Sequence, residues 1–254
     1  KEMISFDLGL SLEKVKYDND SVTIRNHRVN ASSLEEIAKD KRHNIWALIN
    51  GKFQKLLFFN GKVYKLRLVA PNTAPTLEIN GIHMHRIRGT TPWRDARMKV
   101  EVLKVKNCRV LDICTGLGYT SIWSRKLGAR EVISIERDEK VLQIAEFNPW
   151  SKDLENIKVI VGDATKVLSQ IEEESFERVL HDPPREALAR ELYSLRLYEE
   201  IYRVLDKGGI LFHYVGQPGI KRGIELWRHV MRRLVKVGFR VKYIYSVRGV
   251  LAFK

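Results

Sequence analysis

The sequence predicts an α/β fold: a mostly parallel sheet wound by helices and closed by a terminal antiparallel hairpin, behind a small β-rich N-terminal domain. Three observations carry this. From Arg109 onward, short apolar runs alternate with longer amphipathic stretches, the pattern of strand–helix–strand winding. The first run, Val110 to Ile113, is followed at once by Gly116 and Gly118, and a helical pattern opens at Tyr119. Ahead of residue 90, Asn-Gly pairs punctuate short alternating segments, which is how hairpins read.

Taken in order, Ile4 to Leu10, Lys14 to Tyr17 and Val22 to Ile24 alternate and are separated by polar turns such as Asp18-Asn19-Asp20. Asn50-Gly51, Asn60-Gly61 and Asn80-Gly81 signal turns, the first two flanked by strand-like Ile45 to Ile49, Phe53 to Phe59 and Val63 to Val69. One helix interrupts them, with Ser32 and Glu35 as a capping box, and runs to about Asp40. Ala70 to Pro75 reads as a linker, so the domains divide as 1–90 and 91–254. A structural appendage and a substrate-binding module fit the first domain equally.

Gly81 to Arg88 is basic and carries His83 and His85, which read as structural or as lining of a substrate cleft. Thr91 then caps a helix with Pro92 in its first turn. Trp93, Ala96, Val100 and Leu103 recur there at helical spacing, giving one buried stripe. Beyond it, strands are predicted at 109–113, 131–136, 157–161, 178–182 and 210–215, and helices at 119–127, 138–147, 164–171, 188–205 and 222–237. Gly128, Gly208-Gly209 and Gly238 end helices or open strands. Arg240 to Val247 and Gly249 to Phe253 form the closing hairpin, turning at Arg248-Gly249.

The formal charge of +14, from 45 Lys and Arg against 31 Asp and Glu, fits a polyanionic partner or a heat-adapted surface. It is concentrated late: Lys221, Arg222, Arg228, Arg232, Arg233, Lys236, Arg240, Lys242 and Arg248 face a single Glu225. Such a run is either a solvated face or a site for RNA phosphates. Cys108 and Cys114 flank one strand with no Cys/His cluster nearby, which excludes a disulfide framework and a zinc site and suits a reducing cytoplasm. No run approaches the roughly 20 apolar residues of a membrane span, and no apolar signal region opens the chain. No pattern specifies an oligomeric state.

In open α/β sheets ligands bind beyond the carboxyl ends of the strands. Each of the first four strands here delivers a polar group to that edge. Gly116 and Gly118 follow the first, although the third glycine of a dinucleotide fingerprint is absent. Glu136 ends the second, where a carboxylate can accept from both hydroxyls of a ribose. Asp163 follows the third, suited to an adenine amino group, with the Ala164 amide suited to the ring. Asp182-Pro183-Pro184-Arg185 follows the fourth. Any one acid in such a place can merely cap the next helix. A glycine turn and three acids at four successive strand ends define a site.

The segment Leu111 to Tyr119, an acid followed by Gly-x-Gly, resembles the first motif of class I S-adenosylmethionine (SAM) dependent methyltransferases, and the likeness extends over about 109–254. It implies a Rossmann-like sheet with SAM as cofactor. Asp112, Thr115, Gly116, Gly118 and Tyr119 are implied to bind it from the first turn. Glu136 with Arg137, Asp163 with Ala164, and Asp182 are implied to bind it from the next three strand ends. Asp182-Pro183-Pro184 resembles the (Asn/Asp)-Pro-Pro-aromatic motif of methyltransferases acting on base amino groups or amide nitrogens. A conjugated amino group is a poor nucleophile, and a carboxylate with a backbone carbonyl accepting its two N–H bonds aims the lone pair. Arg185 replaces the aromatic, and a guanidinium can stack on a base or hold a phosphate.

The whole chain further resembles archaeal methyltransferases with a β-rich N-terminal part, Phe147-Asn148-Pro149-Trp150 and His181 to Arg185, linked to the cytosine 4-amino group of ribosomal RNA. This implies an RNA partner, no metal, and catalysis by Asp182, Pro183, Pro184 and Arg185. The alternatives are a polyamine (aminopropyl) synthase-like transferase, methylation of tRNA or of a protein amide, and a non-catalytic RNA-binding relative.

Overall fold

Val110, Leu111 and Ile113 are fully buried, so their strand is hidden on both faces, as an apolar run in a parallel sheet requires. In the computed structural model, which describes residues 3–18, 20–24, 26–42, 44–216 and 225–254, that strand is central to a seven-stranded sheet. Its members are Arg109–Ile113 (β1), Glu131–Glu136 (β2), Lys158–Val161 (β3), Phe176–His181 (β4), Leu205–Tyr214 (β5), Arg240–Ile244 (β6) and Gly249–Phe253 (β7). Their spatial order is β3-β2-β1-β4-β5-β7-β6. The first five are parallel, and β7 runs antiparallel between β5 and β6. This is a Rossmann-like sheet with a terminal antiparallel hairpin, as the resemblance implies.

Helices Pro92–Leu103 (α1), Tyr119–Lys126 (α2), Glu139–Glu146 (α3), Ala164–Leu168 (α4), Leu195–Val204 (α5) and Leu226–Val237 (α6) accompany it. Leu197, Tyr198, Ile201 and Val204 of α5 and Val230 and Leu234 of α6 join Leu111, Ile113, Val179 and Leu211 in one core.

Several elements differ from expectation, among them the strand expected over 240–247, which ends at Ile244 and leaves Tyr245 to Arg248 as the turn. The region 188–205 is a 3-10 turn, Arg190–Tyr193, and then α5, because Ser194 is extended and its side chain caps Leu197 N. The expected helix 164–171 stops at Leu168. β5 begins at Leu205 rather than 210: its register on β4 jumps between Phe176↔Leu205 and Arg178↔Ile210, and Gly208, at φ 77, takes up the excess inside the strand. The expected helix 222–237 is seen from Leu226, and its first residues lie outside those described.

By contact the chain divides into two units, Lys1–Trp93 with Gln143–Lys152, and Arg94–Leu142 with Asp153–Lys254. The smaller one is built of antiparallel strands. Lys16–Asp18, Ser21–Ile24 and His27–Asn30 form one sheet, and Leu57–Phe59, Val63–Arg67, Thr76–Ile79 and Ile82–His83 another. Asn50-Gly51 and Asn80-Gly81 both have paired positive φ values and close hairpins, as their sequence demanded.

The helix of this unit, Ala31–Ala38, is capped by Asn30, whose side chain accepts from Ser32 N, so Ser32 lies inside the first turn and is not the cap. The expected strand 53–59 is two, Lys52–Lys55 and Leu57–Phe59, parted at the buried Leu56. The expected linker leads through buried Ala74 straight into the internal strand Thr76–Ile79. Asn19, in the Asp18-Asn19-Asp20 turn, lies outside the described residues. Trp150 donates to Leu8 O at 3.3 Å and meets Trp93 edge-on at 5.2 Å, which ties the Phe147 to Trp150 segment into this unit. Among the described residues no helix is long and apolar enough to cross a membrane.

Candidate active site

The turn after β1 is left-handed at three residues: Cys114 (φ 74), Gly116 (φ 55) and Gly118 (φ 77). A Cβ at Gly118 would lie 2.7 Å from the Leu154 side chain, so packing as well as φ requires glycine there. A Cβ at Gly116 would meet nothing within 4 Å, so this backbone is bare on an open side. Glu136 ties the turn to β2: Oε2 accepts from Gly116 N and Oε1 from Asp138 N, each at 3.0 Å. Burial raises the Glu136 carboxyl above its ordinary value, and these amides oppose the rise.

Asp112, Thr115 and Tyr119 are buried. Asp112 Oδ2 accepts from Thr120 Oγ1 at 2.7 Å and from Ser121 Oγ, while Oδ1 has no partner among the described residues. Burial lifts its pKa to about 7. Thr115 Oγ1 lies 2.6 Å from Ser134 Oγ.

A cleft at the carboxyl edge is lined by Cys114, Glu136, Arg137, Gly162, Asp163, Ala164 and Pro184, among others. Asp163 Oδ1 caps α4 through Thr165 N at 2.9 Å and Thr165 Oγ1 at 2.5 Å, and the hydroxyl bond holds this carboxyl below its usual value. Arg137 reaches Glu191 at 2.8 Å.

At the end of β4, His181 and His213 are fully buried with ring centroids 4.5 Å apart. His181 Nε2 is 2.8 Å from Leu192 O, and a carbonyl partner requires the proton on that nitrogen. Burial drives its pKa down to about 4. His213 Nδ1 donates to Tyr214 O by the same logic, and Nε2 receives Tyr198 OH at 2.9 Å. Tyr193 OH donates to Pro184 O at 2.9 Å, whereas the Pro183 carbonyl meets no donor among the described residues.

Asp182 is clamped. Lys99 Nζ of α1 lies 2.7 Å from its Oδ2, 2.9 Å from Asp95 Oδ2 and 3.8 Å above the Tyr214 ring. The two carboxylates hold the buried Lys99 protonated, and burial raises Asp182 while Lys99 opposes that rise. Arg185 is exposed.

Sequence reasoning missed Lys99, Asp95 and Tyr193. One signal was present: Asp95 and Lys99 are four apart on α1 and flank its stripe of Ala96, Val100 and Leu103, so a charge pair borders a buried face. The late basic run is thinner than its count. Arg233 braces the loop after β4 through Glu186 (3.1 Å) and Tyr193 O (2.9 Å), Arg228 pairs with Glu225, and Lys221 and Arg222 lie outside the described residues. Arg233 is thus tied to the loop after β4 although its side chain remains 40% exposed. His85 Nδ1 is 3.0 Å from Thr76 Oγ1 and His83 lies 3.8 Å from Glu78, both within the smaller unit. No cluster of His, Cys, Asp or Glu suited to a metal occurs among the described residues.

The bare Gly116 backbone, the half-buried Glu136 carboxylate at the tip of β2 and the cleft beside them fit an adenosyl group carried at the edge of this sheet. The chain carries a class I SAM-dependent methyltransferase domain. Residues 104–226 match a family model described as a methyltransferase domain. An uncharacterized protein of Methanocaldococcus jannaschii is 48% identical over 226 residues, covering 87% of this chain and 77% of that protein. A ribosomal protein L11 methyltransferase of Streptococcus thermophilus is 30% identical, over 55% of this chain and 39% of that protein. The ribosomal RNA large subunit methyltransferase I of Aeromonas salmonicida is 31% identical, over 57% of this chain and 40% of that protein. The chain thus spans about two fifths of the length of these two relatives. Spermidine synthase from Thermotoga maritima superposes with a TM-score of 0.59 at 16% identity, covering 86% of this chain and 82% of that one, a likeness of fold.

Proposed function

We propose that this methyltransferase acts on an exocyclic amino group of a base in RNA, cytosine in ribosomal RNA foremost. One observation carries the reading: Asp182 gives one oxygen to Lys99, and the Pro183 carbonyl beside it is unspent. Those are two acceptors on one stiff turn, for the two N–H bonds of an amino group. Bound SAM supplies a methyl group on a positively charged sulfur. Glu136 would hold its ribose, with Arg137 beside it, Asp163 and the Ala164 amide its adenine, and the turn of Cys114 to Gly118 its remainder. Asp112, Thr115 and Tyr119 act by fixing that turn.

Asp182 Oδ1 and the Pro183 carbonyl accept the two amino hydrogens, which draws the nitrogen out of conjugation and directs its lone pair. Once methylated, the nitrogen carries an acidic proton that Asp182 can take. Tyr193 fixes Pro184, and exposed Arg185 is left to meet the base or a phosphate. A reduced cytoplasmic setting agrees with two free cysteines. Methyl transfer to a ribosomal protein is the second reading, favoured by the L11 methyltransferase likeness. A polyamine synthase must gather acids around a polycationic substrate, and this site instead adds Lys99 to its acids and Arg185 to its rim.

Nucleoside mass spectrometry of digested ribosomal and transfer RNA from a deletion strain tests the proposal. The expected result is the loss of one N-methylated base. An unchanged nucleoside profile, with a methyl group missing from a ribosomal protein, would establish the second reading instead.

A further inference from the structure

The terminal hairpin brings an exposed aromatic ring and an unspent cation to the catalytic edge of the sheet. β6 is parallel to β5, and the register runs Ile244↔Gly249↔Tyr214 across β6, β7 and β5, with His213↔His181 on to β4. The turn from Tyr245 to Arg248 therefore lies at the same edge as Asp182. Tyr245 is 78% exposed. It is held from behind, edge-on to Tyr243 at 4.8 Å, and Tyr243 stacks on Trp227 at 4.9 Å and 28°. Tyr243 and Trp227 pack on the hydrophobic core, and the Arg228 guanidinium lies 5.1 Å over Trp227. The exposed ring thus rests on a fixed stack.

Arg248 has no carboxylate partner among the described residues and takes a left-handed φ of 50 in the turn. Its charge acts on the Tyr214 phenol, the ring that carries Lys99. Arg240 and Lys242 continue the positive strip along β6 and are exposed. Cations on an edge strand also discourage strand pairing, which accounts for those two. It does not account for a rigidly backed tyrosine and a free arginine at the catalytic end.

We infer that the Tyr245–Arg248 turn docks the single-stranded RNA segment flanking the target base, Tyr245 stacking on an unpaired base and Arg248 taking a phosphate. This rests on the RNA reading above. The chemistry agrees with it, because sequence-specific proteins take RNA bases splayed from loops and stack them on aromatic rings. A protein substrate offers neither regularly spaced phosphates nor unpaired bases.

Fluorescence anisotropy with a labelled mixed-sequence RNA of about 12 nucleotides, single-stranded and as a duplex, tests this. Tyr245→Ala is expected to weaken single-strand binding at least about tenfold, the loss of one base stack. Tyr245→Phe should stay within about twofold and duplex binding should not respond. Arg248→Asn, a residue that tolerates the left-handed turn, should lower the slope of log affinity against log salt by about 0.7. SAM affinity and melting temperature should not change in either. Wild-type single-strand affinity retained in Tyr245→Ala and Arg248→Asn overturns the inference while the RNA reading stands. Wild-type protein with no RNA affinity, and unaltered nucleosides in a deletion strain, overturns both. Methyl transfer to a ribosomal protein fraction that falls in Tyr245→Ala while RNA binding holds assigns the surface to a protein and overturns the inference too.

Discussion

Lys99 Nζ lies 2.7 Å from Asp182 Oδ2, joining a buried residue of α1 to the acid that follows β4. Asp95 anchors the lysine from behind at 2.9 Å. The lysine consumes one oxygen of Asp182, fixes its rotation and leaves the other oxygen as an acceptor. Breaking a buried pair from one side leaves an uncompensated charge, at a cost of about 3–5 kcal/mol. Here two carboxylates would be left.

Lys99→Gln is accordingly expected to lower unfolding stability by an amount in that range, measured by urea titration. Removing the cation also raises the Asp182 carboxyl further, so the acidic limb of the rate profile moves to higher pH. A variant with wild-type stability and an unmoved profile would mean that the pair does not control Asp182.

The histidine before Asp182 gives a pH dependence with a defined sign. His181 is depressed to about 4 in the fold, against about 6.5 in an unfolded chain. The stability tied to its neutral form is complete above pH 6.5 and is lost as pH falls towards 4, by about 3 kcal/mol. His181→Phe should melt lower at pH 7, having lost its bond to Leu192 O, yet decline less steeply than wild type between those pH values. Parallel melting curves would show that His181 is not held neutral. His213, also depressed by burial, leaves a residual slope in both proteins.

Glu136→Ala is expected to weaken SAM binding by at least about a hundredfold, since a charged acceptor to two ribose donors is worth on the order of 3 kcal/mol. The structure adds a second cause, because Glu136 also accepts from Gly116 N and Asp138 N. Glu136→Gln keeps one acceptor oxygen and should fall between the two, as read by calorimetry. Wild-type SAM affinity in Glu136→Ala would misplace the cofactor.

The carboxyl edge was legible because its signals are local. Apolar runs end in Glu136, Asp163 and Asp182, and the left-handed turn needs Gly116 and Gly118. What escaped depends on partners distant in the chain. Lys99 and Asp182 are 83 residues apart, and a lysine beside an apolar stripe reads as its border until the opposing carboxylate is seen. Arg233 entered a count of positive charges, although its partners Glu186 and Tyr193 lie some 40 residues earlier. Ala70 to Pro75 has the composition of a linker, but Leu77 and Glu78 beyond it are buried by pairing with Val63–Arg67. The N-cap of the first helix went to Asn30 rather than Ser32, since both residue types cap well and only backbone geometry separates them.

The central claim is that Asp182 orients and polarises an amino group. Its most direct test is the single-turnover rate of methyl transfer to undermethylated RNA by Asp182→Ala and Asp182→Asn, with SAM affinity measured alongside. The expected result is a loss of at least about a hundredfold for alanine, as for removal of one preorganised polar partner. Asparagine should retain partial activity, since its amide oxygen still accepts, and SAM should bind nearly as well to both. Robust methylation by Asp182→Ala at unchanged SAM affinity would contradict the claim and turn attention to Tyr214 and Arg185.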